Sequence, residues 1–307
     1  MNTPAENLLK KIRDKGWAGR IVPTRHLAEL REAIREKYRQ GLLDKSLYEN
    51  QLSSFSFSPE SHPASVKSII IVAVPVPQMR IFFRWNGKRI PVIIPPTYVH
   101  YNQTTENVRD VLSAWLEYDG FLLTRPHLPL KTLAVQSGLA SYGKNNLCYV
   151  NKLGSFLQLV AAGTNLPCDD DPWREPATLN RCKTCTACEK ICPTRAIPAD
   201  RFLLYAERCL TYHNEAANDF PDWIHPSWHH CLIGCMRCQT ACPENKHVVK
   251  RFEEHGGFSE EETRLLIQRV PFDQLPPETA SRIKDLEIND DYRILCRNLS
   301  MLIGREN

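Results

Sequence analysis

Apolar residues in the first half of the chain recur with two different periods. Leu8, Leu9 and Ile12 lie on one side of a charged amphipathic helix predicted over residues 1–16, and a second helix is predicted from His26 to about Gln40. The run from Ser68 to Val74 is apolar without interruption and too short to cross a bilayer, which favours a buried strand. Helix and strand therefore alternate, and this order predicts an α/β or α+β layer arrangement.

A β-hairpin is predicted between Met79 and Ile94. Two β-rich runs in this segment are joined by Asn86-Gly87, a dipeptide that suits a type I′ turn because both central residues take positive φ. Helical spacing returns at Asn107–Leu116 and at Leu130–Leu139, and residues 150–162 are strand-like again.

The composition changes at Cys168. From there to about Asn245, cysteine, proline and polar residues leave little continuous core, which is typical of a small module held by metal. Helices are predicted after Lys246, at Ser259–Gln268 and Asp290–Ile303. The pattern thus predicts an α/β domain over residues 1–167, a metal-binding module over 168–250 and a helical C-terminal segment over 251–307.

Composition narrows the class of protein. The 307 residues are 42% hydrophobic and 24% charged with a net charge of +4, as in an ordinary globular protein. The N-terminal residues show no apolar stretch of a signal peptide, so we expect a cytoplasmic protein with reduced thiols. The basic clusters at residues 10–13 and 246–251 favour a solvated surface, with an RNA-facing patch as the alternative.

The spacing of the cysteines predicts the kind of metal site. Residues 182–193 read C-x2-C-x2-C-x3-C-P, the run that in two-cluster ferredoxins places three thiolates on one 4Fe-4S cluster and the fourth on the other. A structural zinc site is the alternative, because C-x2-C pairs also bind zinc. The paired motif and its two Cys-Pro ends favour iron and sulfur, and predict a ferredoxin-like module that transfers electrons.

A second motif spans residues 231–243, where Cys235, Cys238 and Cys242 keep the spacing of the first motif. Cys231 lies one residue too far from Cys235 to fit the pattern. Either Cys231 or the isolated Cys209 must therefore complete the second cluster, and spacing alone does not decide between them. Ordinary burial is the preferred interpretation of the three remaining cysteines, which are Cys148, Cys168 and Cys296.

Several segments together resemble the epoxyqueuosine reductases, cobalamin-dependent proteins related to reductive dehalogenases. The resemblance rests on CKTCTACEKICPTRAI at residues 182–197, on RCLTY at 208–212 and on GCMRCQTACPEN at 234–245. Upstream, SGLASYGKN at 137–145 is similar to the family's A-G-L-G-W-x-G-K-N, and GSF at 154–156 is similar to its G-S-[WF].

The resemblance implies a fold and two kinds of cofactor. It implies a nitroreductase-like α/β domain that holds base-off cobalamin beside the ferredoxin-like module, and electron flow from a reduced donor such as ferredoxin or flavodoxin. It also implies that Cys209 completes the second cluster. One cluster would then take Cys182, Cys185, Cys188 and Cys242, and the other Cys192, Cys209, Cys235 and Cys238. The implied cobalamin contacts are Lys131, Tyr142, Lys144, Asn145, Ser155 and Thr211.

Some family features are absent from this sequence. The family's aspartate general acid corresponds by counting to Thr124, and no aspartate lies between Phe121 and Pro167. His127 is the preferred replacement, with Tyr98, Tyr101 and Tyr142 as alternatives, because both side-chain types can donate a proton in a suitable site. Met236 also replaces a family aspartate, and the C-terminal helical repeats that some members use beside tRNA are missing.

Two functions are consistent with these observations. The first is a cobalamin-dependent reductase acting on an epoxide, halide or related electrophile, whether a small molecule or a tRNA-borne group. The second is an electron-transfer protein without substrate chemistry of its own, for example a reductase of a partner's corrinoid. Reductive dehalogenation at a membrane is disfavoured, because no twin-arginine signal is present.

Overall fold

The computed structural model describes residues 3–57, 66–168, 170–287 and 292–304. These residues form two compact units whose segments alternate along the chain. Unit 1 contains Met1–Pro75, Gln103–Thr186 and Ile197–Ala206, and unit 2 contains Val76–Asn102, Ala187–Ala196 and Glu207–Asn307. The units therefore interleave instead of following the three consecutive segments expected from composition.

The strands of the described residues are β1 (Ala18–Pro23), β2 (Ser68–Pro75), β3 (Gln78–Trp85), β4 (Lys88–Ile94), β5 (Ser141–Tyr142), β6 (Cys148–Tyr149), β7 (Leu157–Thr164) and β8 (Phe252–Phe258). The helices are α1 (Pro4–Asp14), α2 (Leu27–Arg39), α3 (Lys45–Asn50), α4 (Tyr101–Tyr118), α5 (Leu130–Gln136), α6 (Ala187–Ile191), α7 (Leu210–Glu215), α8 (Arg237–Thr240), α9 (Glu260–Ile267), α10 (Pro277–Asp285) and α11 (Tyr292–Ile303). Within these residues, no helix combines the length and the apolar character that a bilayer crossing needs.

Unit 1 is built on an antiparallel sheet in the order β1-β2-β7. The central strand β2 is buried at every residue except Pro75, which explains its uninterrupted apolar run. Ile69 and Ile71 of β2 pack with Leu133 of α5 in the core of this unit. At the N-terminus, Thr3 and Glu6 form a capping box that starts α1.

Unit 2 is built on a second sheet in the order β4-β3-β8. The predicted hairpin is confirmed: β3 and β4 pair antiparallel, and Asn86 and Gly87 have φ of 49° and 73°. One face of the sheet packs on α9 and α11, with Phe83 and Phe258 stacked at 4.9 Å between ring centres. The C-terminal helix α11 contributes Leu295 and Leu299 to this core.

The fold class, α+β, agrees with the prediction, and two local expectations are corrected. Residues after Lys246 are not all helical, because β8 pairs in parallel with β3. Its glycines and acidic residues give no strand pattern, so the pairing with a distant partner decides its conformation. Strand β7 begins only at Leu157, since residues 151–155 turn. The predicted start of the last helix, Asp290, lies outside the described residues.

Candidate functional site

The residues predicted to bind the second cluster all belong to unit 2. Cys192 follows the short helix α6, where Pro193 prevents the helix from continuing. Cys235 precedes α8, Cys238 lies within it, and α8 packs against α6. Cys209 is the N-cap residue of α7. The motif cysteines are thus displayed at the ends of very short helices.

Three of these thiols lie close together. Burial is the main cause that raises the pKa of Cys235 to about 12, and the neighbouring Cys209 and Cys192 thiols raise it further. Burial also raises the pKa of Cys209, which lies near Cys192 as well. Since each thiolate of a 4Fe-4S cluster binds its own iron, a group of separated cysteines fits such a cluster. In the described part of the chain, no three His, Cys, Asp or Glu side chains converge on a single-ion position.

Hydrogen bonds prepare the Cys209 sulfur for a negative charge. It accepts bonds from the backbone and the side chain of Thr211 and from the backbone of Tyr212, and these bonds lower the pKa of the thiol against the effect of burial. Thr211, an implied cobalamin contact, therefore contacts Cys209, a predicted cluster ligand, in this structure.

Cys231 has a different environment from Cys209. It is 1% exposed, and burial raises the pKa of its thiol well above the usual value. Its backbone forms a parallel bridge with Ile93, and the next amide, that of Leu232, donates to the Ile93 carbonyl at 2.9 Å. Cys231 is thus tied to the sheet of unit 2, with Cys235 as its neighbouring thiol. This arrangement favours Cys209 as the fourth ligand.

The cysteines predicted for the first cluster are distributed over both units. Cys182 and Cys185 lie at the end of unit 1, where the amide of Cys182 donates to Leu179 O at 2.9 Å and that of Cys185 to Arg181 O at 3.1 Å. Cys188 lies in α6, and Cys242 follows α8 in unit 2.

The glycine-lysine-asparagine loop of unit 1 joins β5 to β6. Lys144 Nζ donates to the carbonyl of Cys185 at 3.3 Å. The amide of Tyr142 donates to Ala177 O at 2.8 Å, and the amide of Leu179 donates to Tyr142 O at 2.9 Å. The loop that the resemblance assigns to cobalamin is therefore hydrogen-bonded to the segment that carries the first two cluster cysteines.

Packing within this loop requires glycine at position 143. A Cβ at this position would lie 2.5 Å from Asn145 Oδ1 and from the Tyr149 ring, so only glycine fits. Asn145 is 3% exposed, and its side-chain amide donates to Tyr149 Oη at 3.0 Å. Glycine at this position therefore permits the close packing of Asn145 and Tyr149 in the turn.

The other implied cobalamin contacts vary in exposure. Lys131 is exposed, whereas Ser155 is 7% exposed. Tyr142 is buried, its hydroxyl donates to Thr132 Oγ1 at 3.2 Å, and burial raises the pKa of the phenol. These positions remain predictions.

The candidate proton donors do not share one environment. His127 is exposed, and its ring lies edge-on to Phe55 at 5.1 Å between centres. Thr124, at the position of the family's aspartate, forms a backbone bridge with Gly163, and a Cβ on that glycine would lie 2.4 Å from the Thr124 hydroxyl. That hydroxyl is buried and has no hydrogen-bond partner among the described residues.

Of the tyrosines proposed as donors, Tyr98 belongs to unit 2, where its hydroxyl bonds to Glu215 and its ring covers Gly234, at 2.7 Å from a Cβ placed there. Burial, followed by the Glu215 carboxylate, raises the pKa of this phenol. Tyr101, at the start of α4, is 39% exposed.

A buried polar network near the second cluster was missed in the sequence. Asn214 Nδ2 donates to Gly234 O at 2.6 Å, so it links α7, which starts at Cys209, to the loop that precedes Cys235. Asn298 Nδ2 donates to Asn214 O and to Leu232 O, each at 2.9 Å. The sequence signal for this network is the polar pair Arg297-Asn298 between the apolar residues Leu295, Cys296 and Leu299 of α11.

The family that the cysteine-rich segment matches indicates the class of protein. Residues 181–245 match the family model described as a 4Fe-4S double cluster binding domain. This agrees with the predicted iron-sulfur module, because residues 181–245 are similar to a domain that binds two 4Fe-4S clusters.

The chain is further similar to epoxyqueuosine reductases, and the resemblance inferred from the motifs is confirmed. It is 33% identical over 120 residues to that of Lactococcus garvieae and 32% identical over 160 residues to that of Gloeobacter violaceus. These matches cover 39% and 51% of this chain. The matched stretches span only 33% and 46% of those two relatives.

The likeness in fold extends over almost the whole chain. Epoxyqueuosine reductase from Bacillus subtilis, in a form with an aspartate catalytic loop swung out of the active site, superposes with a TM-score of 0.72. The identity is 20%, with 97% of this chain and 80% of that chain covered. An epoxyqueuosine reductase bound to a modified tRNA-Tyr stem loop gives a TM-score of 0.70 at 18% identity, with the same coverage.

Proposed function

We propose that this protein is a cobalamin-dependent iron-sulfur reductase acting on an electrophilic group, with a reduced ferredoxin or flavodoxin as donor. The observation that carries the proposal is the contact between Lys144 and the Cys185 carbonyl. It connects the loop implied to bind cobalamin with the segment implied to bind a cluster. When bound, the clusters supply single electrons and cobalamin supplies a strongly reducing cobalt centre.

The protein's own residues support these roles in different ways. The neighbouring thiols of Cys192, Cys209 and Cys235, together with Cys238, form the donor set for one cluster. The bonds from Thr211 stabilise the Cys209 thiolate that a cluster requires. Lys144 holds the β5–β6 turn against the first cysteine motif. Charge-assisted hydrogen bonds of this kind orient a loop more firmly than neutral ones.

An epoxide on a tRNA nucleoside is the substrate that the similar proteins suggest. The two curated relatives and the two structural neighbours described above are epoxyqueuosine reductases, and one of these neighbours holds a modified tRNA stem loop. Reducing an epoxide to an alkene breaks both C–O bonds, consumes two electrons from the donor and two protons, and releases the oxygen as water, so the chain must also provide a route for protons.

Retention of cobalamin tests this proposal directly. After anaerobic reconstitution with iron, sulfide and cobalamin, we expect the wild-type protein to retain base-off cob(II)alamin after desalting, measured by its electron paramagnetic resonance signal. Lys144→Met removes a charge-assisted hydrogen bond, so retention should fall about tenfold while the iron content stays unchanged. Lys15→Met removes an exposed charge from unit 1 and should leave both quantities unchanged.

Loss of cobalamin from the wild-type protein would instead support the second function, an electron-transfer protein without substrate chemistry of its own. One observation favours that alternative: Thr124 occupies the position of the family's aspartate, and its hydroxyl lies against Gly163. A threonine hydroxyl is a poor general acid at neutral pH.

His127 is the proposed proton donor, and its exposed ring could reach a substrate. We expect His127→Ala to lower the rate of epoxyqueuosine conversion in tRNA by at least about 100-fold, the usual contribution of a general acid. The rate should be measured at saturating reductant, with cobalamin content checked in parallel. Unchanged turnover at equal cobalamin content would exclude His127 from this role.

A further inference from the structure

The outward face of the second sheet carries arginines and phenylalanines in alternation. Side chains two residues apart on a strand share a face, so Arg80, Phe82 and Arg84 lie on one side of β3, opposite the buried Phe83. Arg89 of β4 is paired in register with Arg84 and therefore lies on the same face. We call this set the arginine face.

Two of these arginines stack on aromatic rings. The Arg89 guanidinium lies 3.4 Å from the centre of the Phe82 ring, and that of Arg80 lies 3.9 Å from the Phe252 ring. Arg80 also forms an ion pair with Glu254 at 2.8 Å. The stacking holds the Arg89 guanidinium flat against the sheet, so that its other side can receive a planar group.

The arginine face borders an open cleft of about 740 Å³. Phe82 and the backbone of Gly256 and Gly257 line it from the sheet, and residues of α9 and α10 line it from the helices. A Cβ at Gly257 would lie 2.6 Å from Phe82 O, so only glycine fits at this position. A Cβ at Gly256 would have no atom within 4 Å. The glycines thus keep the sheet side of the cleft open.

The charges that line the cleft are not all neutralised. Arg282 pairs with Glu262 at 3.2 Å and donates to Gly257 O at 2.9 Å, so that pair is satisfied internally. Within the described ranges, Arg84 and Arg89 form no ion pair, although they lie directly opposite each other. Like charges in this position destabilise a hairpin, and an anion bound between them would relieve the repulsion.

We propose that this cleft binds a nucleotide of a single-stranded RNA segment. Arg84 and Arg89 bind its phosphate, because guanidinium groups match phosphate oxygens in a bidentate geometry. The base stacks on the Arg89 guanidinium, which Phe82 supports from behind. Glu261 and Glu278, on the helical side of the cleft, accept hydrogen bonds from exocyclic amino groups of the base.

The charge distribution favours a nucleotide over a simple anion. Inorganic phosphate would bind the arginines but would be repelled by the carboxylates. A nucleotide instead presents its phosphate to the arginines and the amino groups of its base to the carboxylates. The choice of RNA rests on the proposed function, since a tRNA-borne substrate requires contacts to RNA. That a binding site exists here is inferred from the geometry of unit 2 alone.

Binding of a fluorescein-labelled tRNA-Tyr stem-loop RNA, followed by fluorescence anisotropy, tests the site. The protein is loaded with clusters but given neither cobalamin nor reductant, so failure of the reductase proposal leaves the measurement intact. The Arg84→Gln/Arg89→Gln double variant should bind at least about tenfold more weakly, with the slope of log Kd against log salt reduced by about 1.5. Phe82→Leu should weaken binding about fivefold or more through lost support for stacking.

The matched control is Arg31→Gln/Arg35→Gln, which removes the same charge from the exposed face of α2 in unit 1, outside both basic clusters. It should change the Kd by less than about twofold, because salt screens exposed charges that do not contact the RNA. Equal weakening in the two double variants would overturn the proposal, as would equal competition by a blunt RNA duplex of the same length or by polyglutamate. Unchanged thermal melting of each variant shows that the sheet is still folded.

Discussion

We expect Cys209→Ala to remove about half of the iron and sulfide from the reconstituted protein, because a 4Fe-4S cluster needs all four thiolates for stable binding. Cys209 lies beside Cys192 and Cys235 and accepts three hydrogen bonds that stabilise its thiolate. Iron and sulfide analysis, with paramagnetic resonance of the reduced protein, should show that one of two cluster signals is lost.

The matched variant is Cys231→Ala. This cysteine is buried and tied to the hairpin through Ile93, so its loss should leave iron content unchanged. It should lower the stability by about 1–2 kcal/mol through the small cavity left behind. The reverse result, with full iron in the Cys209 variant and half in the Cys231 variant, would show that Cys231 is the ligand and that the resemblance misassigned the fourth cysteine.

Features that depend on neighbouring residues were predicted from the sequence. The Asn86-Gly87 turn needs two positive φ angles, and both are present. The apolar run of β2 needs burial on both faces, and every residue of this strand except Pro75 is buried. The first cysteine motif also acts locally, because its short spacings alone define the loops that present the thiols.

Features that depend on distant partners were missed. β8 is a strand because β3 lies beside it in parallel, about 170 residues earlier in the chain. Its acidic and glycine residues gave no period that could predict this pairing. The interleaving of the two units has the same origin: the hairpin β3-β4 packs with helices near the C-terminus, which no local pattern encodes.

In the candidate site, too, local motifs predicted some features, whereas contacts between distant residues were not predicted. The sequence motifs assigned the glycine-lysine-asparagine loop to cobalamin, and in the structure Asn145 and Tyr149 pack against Gly143. The bond from Lys144 to Cys185 joins two motifs 41 residues apart, and only the folded chain reveals it. A motif therefore identified the residues, and tertiary contacts identified what each one touches.

The second large effect is expected at Arg297. This side chain is 6% exposed in α11 and donates to the carbonyls of His213 at 2.9 Å and Asn214 at 3.4 Å, and to that of Asn218. Its guanidinium also stacks on Phe220 at 4.0 Å. Arg297→Met keeps the length and apolar contact of the side chain but removes the guanidinium donor of the His213 and Asn218 carbonyls, while Asn214 O keeps its bond from Asn298. We expect the free energy of unfolding to fall by roughly 3 kcal/mol, measured by chemical denaturation.

The position of this network predicts a second consequence. The carbonyls that Arg297 binds belong to and follow α7, the helix that begins at Cys209. Loss of the hydrogen bonds to these carbonyls should shift the electron paramagnetic resonance signal of the second cluster. It should also make the iron of that cluster easier to remove by a chelator. Arg293→Met, on the exposed side of the same helix, should change the stability by less than about 0.5 kcal/mol and leave the signal as it is. If Arg297→Met lowered stability while leaving both the signal and chelator resistance unchanged, the network would only stabilise the fold. A shift in both would show that the C-terminal helix holds the ligand helix of the cluster in place.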